Sequence, residues 1–132
     1  MTPEPGTMRL KAAVGGSPEA AYYHRTTMVH VHGNGRAEQL KPNLGAWASA
    51  SSWMNAELPY LLYGPVVTSG RSADGGVGPL SEAMVTQVRT ACATTRETMR
   101  TWQDRPPVSN EAALGELFAY VRRDLAALRS EH

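Results

Sequence analysis

The residues best suited to chemistry gather in the first third of the chain: His24, His30 and His32, followed by Glu38. Neutral imidazoles and a carboxylate are ordinary donors to zinc and other transition metals. If residues 22–32 form one continuous strand, alternation turns all three histidines to the same face. His24, His30, His32 and Glu38 are therefore the candidate metal site, with zinc or another divalent transition metal as its ion. The competing reading is a polar strand face turned to solvent, which needs no cofactor.

The run His30-Val31-His32, then Glu38, then Gly45 resembles the first motif of the cupin-type double-stranded β-barrels. It departs from that motif at several points. The interval from His32 to Glu38 is one residue too long, and His24 stands where the motif begins with glycine. No second His-bearing motif follows, since the only later histidine is His132. The helical pattern of the C-terminal half also contradicts a barrel, so the chain is not assigned to that family.

A second candidate is the glycine-rich stretch 68–79. Arg71 with the backbone amides of Gly76 and Gly78, ahead of a helix start, could hold a phosphate or another anion. Neither G-x-x-x-x-G-K-[ST] nor G-x-G-x-x-G occurs, so this is not a nucleotide-binding loop of either standard kind. A flexible loop, or a contact segment that orders within an assembly, uses glycine equally well. For nucleophilic catalysis the ingredients are poor. G-x-S-x-G is absent, Asp74 and Asp104 are isolated, and Cys92 falls on an apolar seam where a thiol is a small hydrophobe.

These candidates must be positioned by elements, and the clearest lie at the far end of the chain. Val85, Val88, Cys92, Thr95, Met99 and Trp102 recur at alternating three- and four-residue steps, as do Leu114, Phe118, Val121, Leu125 and Leu128. Arg105-Pro106-Pro107 separates the two runs, and Ser109 is a natural N-cap for the second. The spacing predicts an antiparallel helical hairpin over 80–130, in which Trp102 meets Leu114, Met99 meets Phe118 and Val85 meets Leu128. Ala113, Leu117 and Tyr120 widen the apolar face of the second helix beyond one partner's needs, which marks them as a candidate oligomer interface.

Ahead of the hairpin, Leu44, Trp47, Ala48, Ser51, Met54 and Leu58 predict a helix that opens at Asn43 and stops before Pro59. Alternation over Met8–Val14 predicts a strand, Tyr22–His32 a second, and Arg36–Leu40 a short third after the Gly33-Asn34-Gly35 turn. In the second, the odd positions Tyr23, Val29 and Val31 are the expected buried set. Residues 60–67 are expected to form a kinked strand around Gly64-Pro65.

The expected fold is α+β: a small antiparallel N-terminal sheet, one middle helix and a C-terminal helical hairpin. A length of 132 residues suits one domain. It divides into an extended arm at 1–6, strands and a helix over 7–67, the glycine-rich loop 68–79 and the hairpin 80–130.

A formal charge of +1 argues against disorder and against a strongly basic nucleic-acid binder. Ile is absent and Lys occurs only at 11 and 41, a composition typical of a GC-rich genome, so a bacterial or phage origin is expected. The first twenty residues hold no apolar core of a secretory signal, and no stretch is long enough to span a membrane. The single Cys92 suits a reducing compartment. A cytoplasmic location is expected, or a virion for a phage protein.

The functional expectation is a non-enzymatic assembly protein that forms a homo-oligomer or docks into a larger complex, with itself or other subunits as partners. The alternatives are a metal-binding protein or metalloenzyme built on the His-x-His strand, and a nucleic-acid-binding regulator. The last would place Arg89, Arg96, Arg100, Arg122, Arg123 and Arg129 of the two long helices on phosphates.

Overall fold

In a computed structural model, residues 13–14, 16, 18–35 and 38–130 are described, Ser130 for its backbone only. The architecture is α+β. In chain order the elements are β1 (Pro18–His24), β2 (Thr27–His32), α1 (Leu44–Met54), β3 (Val67–Arg71), β4 (Val77–Gly78), α2 (Glu82–Asp104) and α3 (Asn110–Ser130). They pack as two compact units. Among the described residues, one comprises those up to 43 together with 60–81, the other residues 44–59 and those from 82 to 130.

The first unit is a four-stranded antiparallel sheet with strands in chain order. The segment expected to be one strand over 22–32 is instead bent at Arg25-Thr26, so β1 turns back on β2 and His24 lies opposite Thr27. β2 is the sheet's buried strand, with every residue from Thr27 to His30 enclosed. Tyr23 and Val29 are buried as expected, but so are the even-numbered Met28, His30 and His32.

The third strand expected over 36–40 is replaced. Glu38 and Gln39 lie in a turn, Gln39 has the left-handed φ of 59°, and residues 36 and 37 lie outside the described set. A left-handed residue cannot continue an extended run. The place beside β2 is taken by β3, from beyond the middle helix. Segment 60–67 contributes a single bridge, Tyr63 to Pro42, in place of a kinked strand. The strand expected over 8–14 lies outside the described residues except for Ala13 and Val14, which are helical.

The stretch expected to be a long glycine-rich loop is a hairpin, because β3 pairs with β4 through Gly70–Gly78 and Arg71–Val77. The turn is closed by Asp74. Its carboxylate accepts the Ser72 hydroxyl and, at 3.0 Å, the Gly76 N–H. Gly75 takes a φ of 86° beside it, which glycine adopts without steric cost.

The second unit is helical. α1 begins at Leu44 as expected but ends at Met54, several residues before Pro59. Asn55 supplies the stop. With φ at 58°, it directs its N–H to Ser52 O and that of Ala56 to Ser51 O, the paired bonds of a left-handed helix cap. Residues 55–58 then fold back along the helix. Leu58 N–H reaches the Ser51 hydroxyl at 3.1 Å, and Trp47 Nε1 donates to Leu58 O at 3.2 Å.

α2 and α3 form the expected antiparallel hairpin. Ser109 caps α3, its hydroxyl accepting Ala112 N–H at 3.0 Å. The inner face of α2 is turned by about one residue from the expected seam. Met84, Ala91 and Thr98 are buried where Val85, Cys92 and Met99 were expected, and Met99 is 46% exposed. Thr95 and Thr98 return their hydroxyls to Ala91 O and Thr94 O, each at 2.8 Å. With the polar atom satisfied inside its own helix, each threonine can be buried with little penalty. On α3, Leu117, Val121 and Leu125 are the buried line. Phe118 meets Trp47 of α1 edge-on, with centroids 6.4 Å apart. Among the described residues, no helix is long and apolar enough to cross a membrane.

Candidate functional site

The structure gives the four proposed metal ligands different surroundings. His24 lies at the end of β1, where its Nδ1 accepts Thr26 N–H at 3.2 Å and sits 2.9 Å from the Thr26 hydroxyl. His30 and His32 share a face of β2, yet each has a different partner. His30 Nε2 lies 2.8 Å from the hydroxyl of Ser69, which β3 brings alongside. His32 Nδ1 accepts Asn34 N–H at 2.9 Å, and its Nε2 faces Glu38 at 3.1 Å. A ring nitrogen that accepts a backbone N–H carries no proton, so the proton of neutral His32 is on Nε2, directed at the Glu38 carboxylate. Of the four, His32 and Glu38 are joined to each other. Among the described residues, no group of three or more His, Cys, Asp or Glu is placed to hold a metal.

Neither histidine on β2 is solvent-facing. His30 is 3% exposed, and burial pushes its imidazole below the ordinary value. His32 is covered at close range by Gly16, where a Cβ would stand 2.2 Å from Nε2. A side chain at position 16 would thus drive the imidazole from its pair with Glu38. The arrangement cross-links the sheet: His30 ties β2 to β3, and His32 ties β2 to the turn after it.

The sign of the His30 effect gives a testable pH dependence. In the unfolded chain this imidazole protonates near pH 6.5, and in the folded chain at lower pH. Between those values the unfolded state holds the extra proton, so stability falls as pH drops through that window. It levels off once the folded-state group has also protonated. Urea midpoints measured across the window should fall with pH in the parent protein. In His30→Gln, which keeps a polar partner for Ser69, they should fall less.

The anion candidates lie together on the β3–β4 hairpin, with Arg71 opposite Val77 at the ends of the turn. Gly76 N–H is taken by the Asp74 carboxylate, so the turn carries its own anion where a phosphate was expected. Gly78 lies in β4 opposite Gly70. Arg71 turns its guanidinium over the Tyr22 ring, 4.8 Å from the centroid, a geometry in which cation and aromatic face attract. Several arginines of the long helices are similarly engaged: Arg100 with Glu97, Arg123 with Asp124, and Arg122 over the Phe118 ring.

Of the expected association face, Leu117 is fully buried inside the helical unit, while Ala113 and Tyr120 keep part of their surface. Tyr120 belongs to a feature that residue spacing does not reveal. An open groove of about 620 Å3 runs along the outside of the hairpin between α2 and α3. Thr94, Thr98 and Thr101 line it from α2, and Tyr120 and Arg123 from α3. Arg123 stacks over Tyr120 at 5.0 Å and bonds Asp124 through Nε at 3.0 Å. Asp124 also accepts the Thr94 hydroxyl at 2.7 Å. Burial pushes the Asp124 carboxyl up, but the bonds from Arg123 and Thr94 outweigh it and hold the group below the usual range. At the hairpin-turn end, Arg105 pairs with Glu116 and holds that carboxyl down as well.

Comparison of the chain with protein-family models, with curated proteins and with solved structures gave no match in any of the three.

Proposed function

We propose that this protein is a non-enzymatic assembly component that works by association, as a homo-oligomer or as a subunit of a larger complex. The observation that carries the reading is the groove along the α2–α3 hairpin, with Tyr120 and the stacked Arg123 on its wall. Tyrosine and arginine are the side chains that most often anchor protein–protein contacts, where a rigid ring and a planar cation bury large area at low entropic cost. A groove between two antiparallel helices also has the shape that receives a further helix. The buried His30–Ser69 pair and the His32–Glu38 pair, whose histidine is buried, are better suited to bracing a sheet than to meeting a substrate.

Light scattering coupled to size exclusion at micromolar concentration, with affinity capture of bound proteins, tests the reading. An oligomer, or a stoichiometric partner, is the expected result. A strict monomer that captures nothing would overturn it.

A further inference from the structure

We infer that Asn34 is a site of slow chemical modification, closing onto the backbone nitrogen of Gly35 and hydrolysing to an isoaspartyl or aspartyl residue. This stands apart from how the protein associates. Of the chain's asparagines at 34, 43, 55 and 110, Asn34 alone precedes glycine, whose missing side chain leaves the nitrogen open to the neighbouring carboxamide. Packing keeps glycine in place there. Gly35 is buried, and a Cβ on it would stand 3.2 Å from both the Cβ and the O of Tyr63.

The turn after β2 favours ring closure in three ways. Asn34 is exposed, and among the described residues no hydrogen bond holds its carboxamide. Gly35 N–H, which must lose its proton, reaches His32 O at 3.3 Å, beyond the usual range and therefore weakly held. The oxygen of that same peptide unit, Asn34 O, accepts Glu38 N–H at 3.0 Å. Negative charge moves onto this oxygen as the nitrogen is deprotonated, and a donor already aimed at it stabilises the anion.

Asp74-Gly75 could close the same ring, and the structure holds it back. Ser72 and Gly76 donate to the Asp74 carboxylate and keep it ionised below the usual range, so it carries no leaving group. Gly75 N–H is tied to Ser72 O at 2.9 Å. Elsewhere, the Asn43 carboxamide is held by Gly64 O at 3.0 Å, and Asn55 and Asn110 precede Ala56 and Glu111.

The step balances with water alone. Hydroxide takes the Gly35 proton, the nitrogen bonds Asn34 Cγ, and the Cγ–Nδ2 bond breaks to release ammonia. One water then opens the cyclic imide at either carbonyl, and nothing is oxidised or reduced. Opening at the main-chain carbonyl sends the backbone through Cβ, which lengthens it by a methylene between His32 and Glu38. The Asn34 N–H that His32 Nδ1 accepts and the Glu38 N–H bonded to Asn34 O both lie in this stretch. Isoaspartate at 34 thus loosens Glu38 from His32.

The test ages the full chain for weeks at mildly alkaline pH, beside a sample unfolded in urea. Peptide mapping by mass spectrometry, with labelling by an isoaspartyl methyltransferase, should find isoaspartate in excess over aspartate at 34. Asn43, Asn55, Asn110 and Asp74 should stay intact, and ammonia release should rise in proportion to hydroxide. Asn34→Gln, at an exposed position, should abolish the label. An Asn34 that reacts in urea but stays intact in the folded chain would overturn the inference, as would a label that survives Asn34→Gln. The urea midpoint of the aged parent should fall below that of the fresh protein, and that of aged Asn34→Gln should not. A modified parent with an unmoved midpoint would overturn the loosening of Glu38 from His32.

Discussion

Replacing Trp47 by alanine is expected to destabilise the helical unit by about 3–5 kcal/mol, the usual cost of deleting a large buried aromatic. Trp47 has no exposed surface. It holds the unit in two ways. Its ring meets Phe118 of α3 edge-on, and its indole N–H donates to Leu58 O at 3.2 Å, tying the chain beyond α1 back onto the helix. Alanine removes the ring contact, opens a cavity and strands the Leu58 carbonyl, and these effects add. Domains of this size hold about 5–15 kcal/mol in total, so the variant should lose a large part of its margin. Urea denaturation followed by far-ultraviolet circular dichroism measures the loss. Val108→Ala is the control: at 95% exposure it should shift stability by no more than about 0.5 kcal/mol. A Trp47→Ala midpoint matching that control would show that the unit is not built around this side chain.

The hairpin was legible in the sequence because its signals are local and repeated: the Pro106-Pro107 break, the Ser109 cap and the spacing of Leu114 through Leu128. The inner face of α2 was legible only to within one residue. Ranking by apolarity favours Met99 and Cys92 over Thr98 and Ala91, and nothing in a residue list shows that a threonine hydroxyl will return to its own helix. The end of α1 was missed for a related reason. Pro59 is the obvious stop, but Asn55 adopts the left-handed conformation first, and asparagine does so only when the surrounding chain favours it.

In the sheet, the decisive fact was a two-residue turn at Arg25-Thr26, with no glycine or proline to announce it. That turn moved His24 onto a different strand and dissolved the three-histidine face. β3 was hidden by its glycine and serine content, and with it went the partner of His30. Ser69 could not be named before strand pairing was known. The groove was invisible for the same reason, since it belongs to two helices at once. Tyr120 could be picked out as surplus on α3, but whether it faced the core or the outside depended on the pitch of α2. The proposed association rests on that surplus and on the groove beside it.

The same dependence on packing makes two glycines behave oppositely when each is changed to alanine. Gly70 lies on β3, where a Cβ would stand 2.0 Å from Pro79 O and 2.8 Å from Pro79 C. These are backbone atoms with no rotamer to change, so either β3 or the chain entering α2 must shift. Gly70 also pairs with Thr27, which is fully buried, and with Gly78 on β4. Displacing it therefore loosens both neighbours. Gly70→Ala is expected to cost about 3 kcal/mol, in the upper part of the range for overpacking. Gly115 lies inside α3 with open space where its Cβ would be. Gly115→Ala should stabilise by about 0.5–1 kcal/mol through the helix preference of alanine over glycine. Urea midpoints of the two variants should thus move in opposite directions from the parent. A Gly70→Ala protein as stable as the parent would mean that Pro79 does not sit against β3, and that the β3–β4 hairpin is held by something other than this close approach.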